Sequence, residues 1–385
     1  MKKLSVSLII ILIVFFIAGL NVTTVNAENL SDEINSQLEN IDFTELQDFF
    51  ENLENIPDNF SFFDNVSDIL SGTVKADYSN IFRYILSTFF NDVYEFIPAI
   101  LGIIAISLFT GVIEKIKSVY LSEGVSEIIT FVSVLSIVLL FSTQIFEIYN
   151  ITKDVVLKIT TFNEVISPIL LTLMVASGGT VSASVYKPIV AVLSGSVINI
   201  INVVVLPLSG LVIIFSIISN FSVSVRLNKF IELFNSIIKW VLGITVTVFG
   251  IFLSVQGIVS SIHDGVSLRA TKYAISNAVP MIGGFVRDGF DLVLCGSVLI
   301  KNALGISSVF ILFFIIIAPI LKIMVFSILL KLSAGIIDCF SNSKVANLCE
   351  SIAKSLSHFT VCILMVGFMV FISILLMIFS ANAIL

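Results

Sequence analysis

Charge is the scarcest commodity in this 385-residue chain: Asp, Glu, Lys and Arg together make up 12%. Soluble domains carry about 25%. Histidine is scarcer still, with His263 and His358 alone. A His-based metal site or catalytic triad has almost no material to build on. The four cysteines, Cys295, Cys339, Cys349 and Cys362, form no C-x-x-C pair and lie in or beside apolar segments. There they act as small hydrophobes. H-E-x-x-H, G-x-S-x-G and Walker spacings are all missing. These gaps predict a non-enzymatic protein without cofactor or metal. The net charge of −7 gives no support to nucleic-acid binding, and no nucleic-acid partner is expected.

What is present is apolar. Hydrophobic residues reach 57%, 34 of them Phe, and mean hydropathy is +1.10. A soluble fold of this size has too little interior to hide them. The predicted class is therefore an all-α polytopic membrane protein. It has about seven or eight transmembrane helices after a cleavable signal peptide and a small extracytoplasmic helical head.

The remaining charge is segregated. Glu28 to Leu70 holds 12 acidic residues and no basic one. From Ser71 onward there are 15 acidic and 18 basic residues. Lys2 and Lys3 precede an uncharged stretch, Leu4 to Leu20, and Val25 and Ala27 fit the small positions of a signal-peptidase site. Cleavage is expected after Ala27; the alternative is an uncleaved anchor. The division read from this is 1–27 signal peptide, 28–90 acidic extracytoplasmic helical region and 91–385 transmembrane domain. Within the head, Ile34, Leu38 and Ile41 fall at helical spacing. Thr44 and Gln47 suit a capping box, Leu46, Phe49, Phe50 and Leu53 share one face, and Pro57 ends the helix. So small a unit is expected to pack on a partner or on its own membrane body, the alternative being a solvated amphipathic spacer.

A helical span takes about 20 apolar residues. The candidates are Phe96–Ile113, Ile128–Tyr149, Val165–Ser177, Pro188–Leu206, Leu208–Phe221, Trp240–Ser261, Ala303–Leu321 and Phe359–Phe379. Val165–Ser177 is short and can extend back to Thr152. With the head outside, eight spans place Lys115, Lys117, Arg226, Lys229, Lys239, Lys331, Lys344 and Lys354 inside, as positive charge prefers. Ser261–Ala303 conflicts, because it falls outside yet carries Arg269, Lys272, Arg287 and Lys301. Val279–Leu304 is read alternatively as a re-entrant or surface hairpin. Lys322, just past the seventh candidate, reads as a side chain snorkelling at a helix end.

Three features go beyond a plain span. Gly243, Thr247, Gly250, Ser254, Gly257 and Ser261 recur at steps of 4, 3, 4, 3 and 4. They make a helix-packing seam, serving either an oligomer contact or packing within the bundle. Ser177, Gly178, Gly179, Thr180, Ser182 and Ser184 form a polar break, either a re-entrant turn lining a pathway or an interfacial loop. Asp264, Arg269, Lys272, Arg287, Asp288 and Asp291 form a charged cluster, either functional charge at membrane depth or a surface loop, with Arg287 and Asp291 at ion-pair spacing on one helix.

Taken together, the chain resembles the stage III sporulation protein AE family of endospore-forming bacteria. The resemblance covers nearly the whole chain. Its most specific parts are Ser167-Pro168 through Ala176-Ser177-Gly178-Gly179-Thr180-Val181-Ser182-Ala183, then Val255-Gln256-Gly257 through His263-Asp264-Gly265, Lys272, Pro280 and Gly283, and Lys301-Asn302-Ala303-Leu304-Gly305. The resemblance implies a polytopic protein of the mother-cell membrane around the forespore, acting after engulfment. It implies membership of a secretion-like channel complex with other stage III sporulation membrane proteins. Across the intermembrane space that complex joins a forespore protein, and the acidic head would face that space. Beside these, membrane lipid is the expected partner. No catalytic residue carries over. A secondary transporter or permease and a passive membrane scaffold are the competing readings. The absence of an internal repeat weighs against common transporter folds.

Overall fold

A computed structural model describes residues 38, 41–51, 53, 61–71, 78–120, 123–221, 227–278, 283–339 and 343–380. The expected signal segment, its cleavage site, Ile34 and Pro57 lie outside these residues. All regular structure among them is helical, as the composition predicts.

Two short helices, α1 (Thr44–Glu51) and α2 (Phe62–Ser71), lie in the head, whose last residues, from Tyr78, already belong to the first long helix of the body. The expected capping box gives way to a different cap. Asp42 Oδ1 accepts from the Thr44 amide at 3.0 Å and the Thr44 hydroxyl at 2.6 Å. The Gln47 side chain turns away to Glu51 at 3.5 Å. A carboxylate two residues upstream is a stronger acceptor than a hydroxyl. These two bonds, the hydroxyl's first, hold the Asp42 carboxyl below the usual carboxylate range. The expected apolar face is present: Leu46 is buried, and Phe49, Phe50 and Leu53 pack on the core. Phe50 stacks on Phe62 at 4.9 Å and Phe49 on Phe162 of the body at 5.6 Å. The head thus completes its small core by leaning on the membrane body.

The body consists of long helices. They are α3 (Tyr78–Tyr120), α4 (Glu123–Ala176), α5 (Thr180–Val192), α6 (Leu206–Phe221), α7 (Asn228–Ala278), α8 (Gly283–Cys339), α9 (Ser343–Ser355) and α10 (Ser357–Phe379). Among the described residues six helical stretches are long and apolar enough to span a membrane: Asn80–Ile113, Phe131–Ala176, Thr180–Asn220, Asn228–Ser254, Gly289–Cys339 and Lys344–Phe379. The eight sequence candidates become six because two pairs fuse.

Ile128–Tyr149 and Val165–Ser177 fuse into α4 because the intervening stretch is amphipathic at helical spacing. Thr152, Val155, Val156, Ile159, Phe162, Asn163 and Ile166 point inward. At 1.5 Å per residue α4 is roughly 80 Å long, more than twice a hydrocarbon core of about 30 Å. Pro188–Leu206 and Leu208–Phe221 fuse across Pro207. Proline clashes with the carbonyl four residues earlier in a regular helix. Here the chain widens into π turns at Leu193–Val197 and Ile201–Val205, and the helix passes through Pro207 without turning back.

The core is thickest along α8 and α10. The two pack closely enough that a Cβ on Gly305 would fall 2.3 Å from Ile378, and one on Gly367 would fall 2.2 Å from Ile316. Elsewhere large apolar side chains face out, among them Phe82, Phe109, Phe131, Phe146, Trp240 and Ile251, as lipid contact requires.

Candidate functional site: a charged centre between α3, α4 and α8

The apolar runs of α3, α4 and α8 are each interrupted by charge, and the fold brings those interruptions together. Lys322 on α8 bonds Glu147 on α4 at 2.6 Å and Glu95 on α3 at 2.8 Å. Its ammonium also lies 5.8 Å from the centre of the Phe96 ring, within cation–π range. Two carboxylates and a ring face hold a cation whose ammonium has three donors. The snorkelling reading of Lys322 is corrected by these contacts: the side chain is mostly buried and clamps three helices. Below it a cavity of about 370 Å³ is lined by Thr88, Asp92, Glu95, Asp154, Lys158 and Lys322, walled by Leu53 of the head and Pro319 of α8. Sequence reading overlooked Asp92, Glu95 and Glu147. Each is an acid at the edge of an apolar run, Asp92 and Glu95 three residues apart, but only the fold shows that they converge with Glu147 on one lysine-lined site.

A second polar contact sits elsewhere on α8. Lys301 is fully buried, and its ammonium donates to the carbonyl of Ser380 at the end of α10. The Ser380 hydroxyl donates to the phenol oxygen of Tyr186 on α5 at 3.2 Å. Lysine here meets the negative end of a helix dipole.

The polar break between α4 and α5 is a turn of three residues. Gly178, at φ 89°, is followed by Gly179. The Gly179 amide bonds back to Met174 and the Gly178 amide to Val175, both in the Schellman pattern. The backbone amides of Ser177, Gly178 and Gly179 are therefore all paired within the turn. Ser177 and Ser182 are buried and Ser184 is exposed. Thr180 and Ser184 line a groove of about 770 Å³ between α4 and α5, shared with Glu164, Ser167, Lys187 and Ser194. Behind it runs a polar chain: Ser167 donates to Asn163, and Asn163 to Ser194, each at 3.2 Å.

The small-residue seam lies along α7. Gly243, Thr247 and Ser254 are exposed and Gly250 is half-buried. A Cβ on Gly243 or Gly250 would meet nothing within 4 Å, so along these positions no described helix fills the seam. The Thr247 and Ser254 hydroxyls bond back to the carbonyls of Gly243 and Gly250. The Gly257 and Ser261 side positions lie outside what is described, although α7 continues through them.

In the charged cluster, Asp291 of α8 pairs with Lys272 of α7 at 2.7 Å. This ion pair joins two helices; the expected pairing of Asp291 with Arg287 falls on a side chain outside those described. Arg269 is exposed, and the side chains of Asp264, Arg287 and Asp288 are not among those described. Gly283–Leu304 belongs to the unbroken helix α8, so the hairpin reading of this stretch does not hold along those residues.

Long helices, six of them apolar enough to span, around a charged centre and without any described strand define an all-α membrane protein. The chain belongs to the stage III sporulation protein AE family, whose model matches residues 60–381. It is 26% identical over 310 residues to the stage III sporulation protein AE of Bacillus subtilis (strain 168), covering 80% of this chain and 75% of that relative. The family match begins at Phe60, so most of the acidic head lies before it. No solved structure matches the chain.

Proposed function

We propose that this sporulation protein is a non-enzymatic membrane subunit of a channel or secretion-like complex between mother cell and forespore, required for forespore development after engulfment. The observation that carries the reading is family membership across residues 60–381. The protein sits in the mother-cell membrane around the forespore, with the acidic head in the intermembrane space. There it meets other stage III sporulation membrane proteins and, across the gap, a forespore protein. The uncovered seam of α7 supports assembly, since small residues let a neighbouring helix approach closely in lipid.

Deleting the gene tests this. The expected outcome is a block after engulfment with normal vegetative growth. Normal sporulation with a nutrient-specific uptake defect would overturn it in favour of the second reading, a secondary transporter. The charged cavity beside Lys322 is the observation that favours that alternative.

A further inference from the structure

The cavity between α3, α4 and α8 holds one carboxylate in an unusual position. Asp92 is 8% exposed, lines the cavity, and its Oδ2 has no hydrogen-bond partner. The Lys322 ammonium gives its ion pairs to Glu95 and Glu147 and reaches Asp92 only through space. A buried carboxylate oxygen left without a hydrogen bond is costly. Lysine also fails to balance the site, since Asp92, Glu95 and Asp154 in the lining and Glu147 behind Lys322 outnumber Lys158 and Lys322.

The room beside Asp92 is hydrated in scale. At a share of about 30 Å³ per water, 370 Å³ holds an ion with part of its hydration shell. The carboxylates do not converge as a chelate: among the described residues no three His, Cys, Asp or Glu side chains are placed to hold a metal ion. A divalent ion demands such convergence of oxygen ligands. A singly charged ion, satisfied by one carboxylate, a neutral oxygen and retained water, does not. Thr88 supplies the neutral oxygen one helical turn before Asp92, on the same face of α3.

We propose that this cavity is a binding site for a small monovalent cation, with the Asp92 carboxylate as its anionic ligand and the Thr88 hydroxyl beside it. The inference stands on the cavity alone and holds for either functional reading above.

The test uses the purified full chain in detergent at pH 8. Its thermal midpoint is followed against sodium, potassium and lithium chloride, with ionic strength held constant by N-methylglucamine chloride. A saturable rise with at least one small cation is expected. Asp92→Asn should raise the apparent Kd at least tenfold, and Thr88→Val should raise it severalfold. A midpoint indifferent to all three ions overturns the proposal, as does an equal rise in Asp92→Asn. Should Asp92→Asn fail to fold, sodium, potassium and lithium binding to the wild type and to Thr88→Val by calorimetry decides the matter. No measurable binding to the wild type, or unchanged affinity in Thr88→Val, refutes it. None of these readouts depends on sporulation.

Discussion

The Lys301 ammonium donates to the Ser380 carbonyl, 79 residues further along the chain, and so ties α8 to the end of the last helix. The contact is fully buried on the lysine side. Burying an ammonium is justified only if its hydrogen bonds are made, and here a helix C-terminus receives it. Lys301→Ala removes the donor and leaves a void. It is expected to cost about 2–4 kcal/mol, by analogy with charged hydrogen bonds and truncated buried pairs. Lys301→Met keeps the volume and should cost less. Protease resistance and the thermal midpoint of the purified protein check both. Equal stability of Lys301→Ala and wild type would show that the Ser380 contact contributes nothing.

Glycines divide into two sets with opposite expectations. At Gly305 and Gly367 a methyl group collides with Ile378 and Ile316, so Ala at either position is expected to cost about 1–3 kcal/mol through overpacking. At Gly250 a methyl group meets nothing. Gly250→Ala should leave the thermal midpoint within experimental error. Gly250→Leu should leave the single chain folded while weakening co-purification with its partners. Intact assembly in Gly250→Leu would remove the α7 seam from the list of contact surfaces.

Lys322 and Glu147 lend themselves to a double-mutant cycle. Lys322→Met, Glu147→Gln and the pair together should give a coupling of about 1 kcal/mol, because the Glu147 side chain is still 39% exposed and partly screened. Denaturation of the four proteins measures it. Additive losses would reduce the clamp to a packing contact.

How far the sequence announces this structure depends on the range of the interaction. The apolar runs, the face made by Leu46, Phe49, Phe50 and Leu53, and the family itself are legible, because each is a local pattern. The clamp is not. Lys322 lies 175 residues from Glu147 and 227 from Glu95, and no spacing rule links them. The fused helices are half-legible. The amphipathic stretch after Thr152 can be seen in sequence, but the π turn at Ile201–Val205, just ahead of Pro207, arises from how the backbone relieves one steric clash. Lys272 with Asp291 shows the same limit. Local spacing points only to Arg287 beside Asp291, and nothing local announces that tertiary packing brings Lys272 to the same carboxylate.

The side on which Thr180 lies separates six spans from eight. With the head outside, eight separate spans return Thr180 to the cytoplasmic face, since α4 would cross twice. A single crossing by Phe131–Ala176 leaves the turn at Gly178 on the outer face. The two schemes agree on the other landmarks: Ala270 and the C-terminus outside, Asn342 inside. Reporter fusions at these four positions are expected to report Thr180 as extracytoplasmic, together with Ala270 and the C-terminus, and Asn342 as cytoplasmic. Placing Lys344 and Lys354 inside satisfies the charge rule under either scheme, so charge alone does not decide between them. A cytoplasmic Thr180 would mean that α4 does not cross the membrane as one helix. The amphipathic stretch from Thr152 to Phe162 would then be a surface segment, and the polar chain from Ser167 through Asn163 to Ser194 would lie near the membrane face instead of within a span.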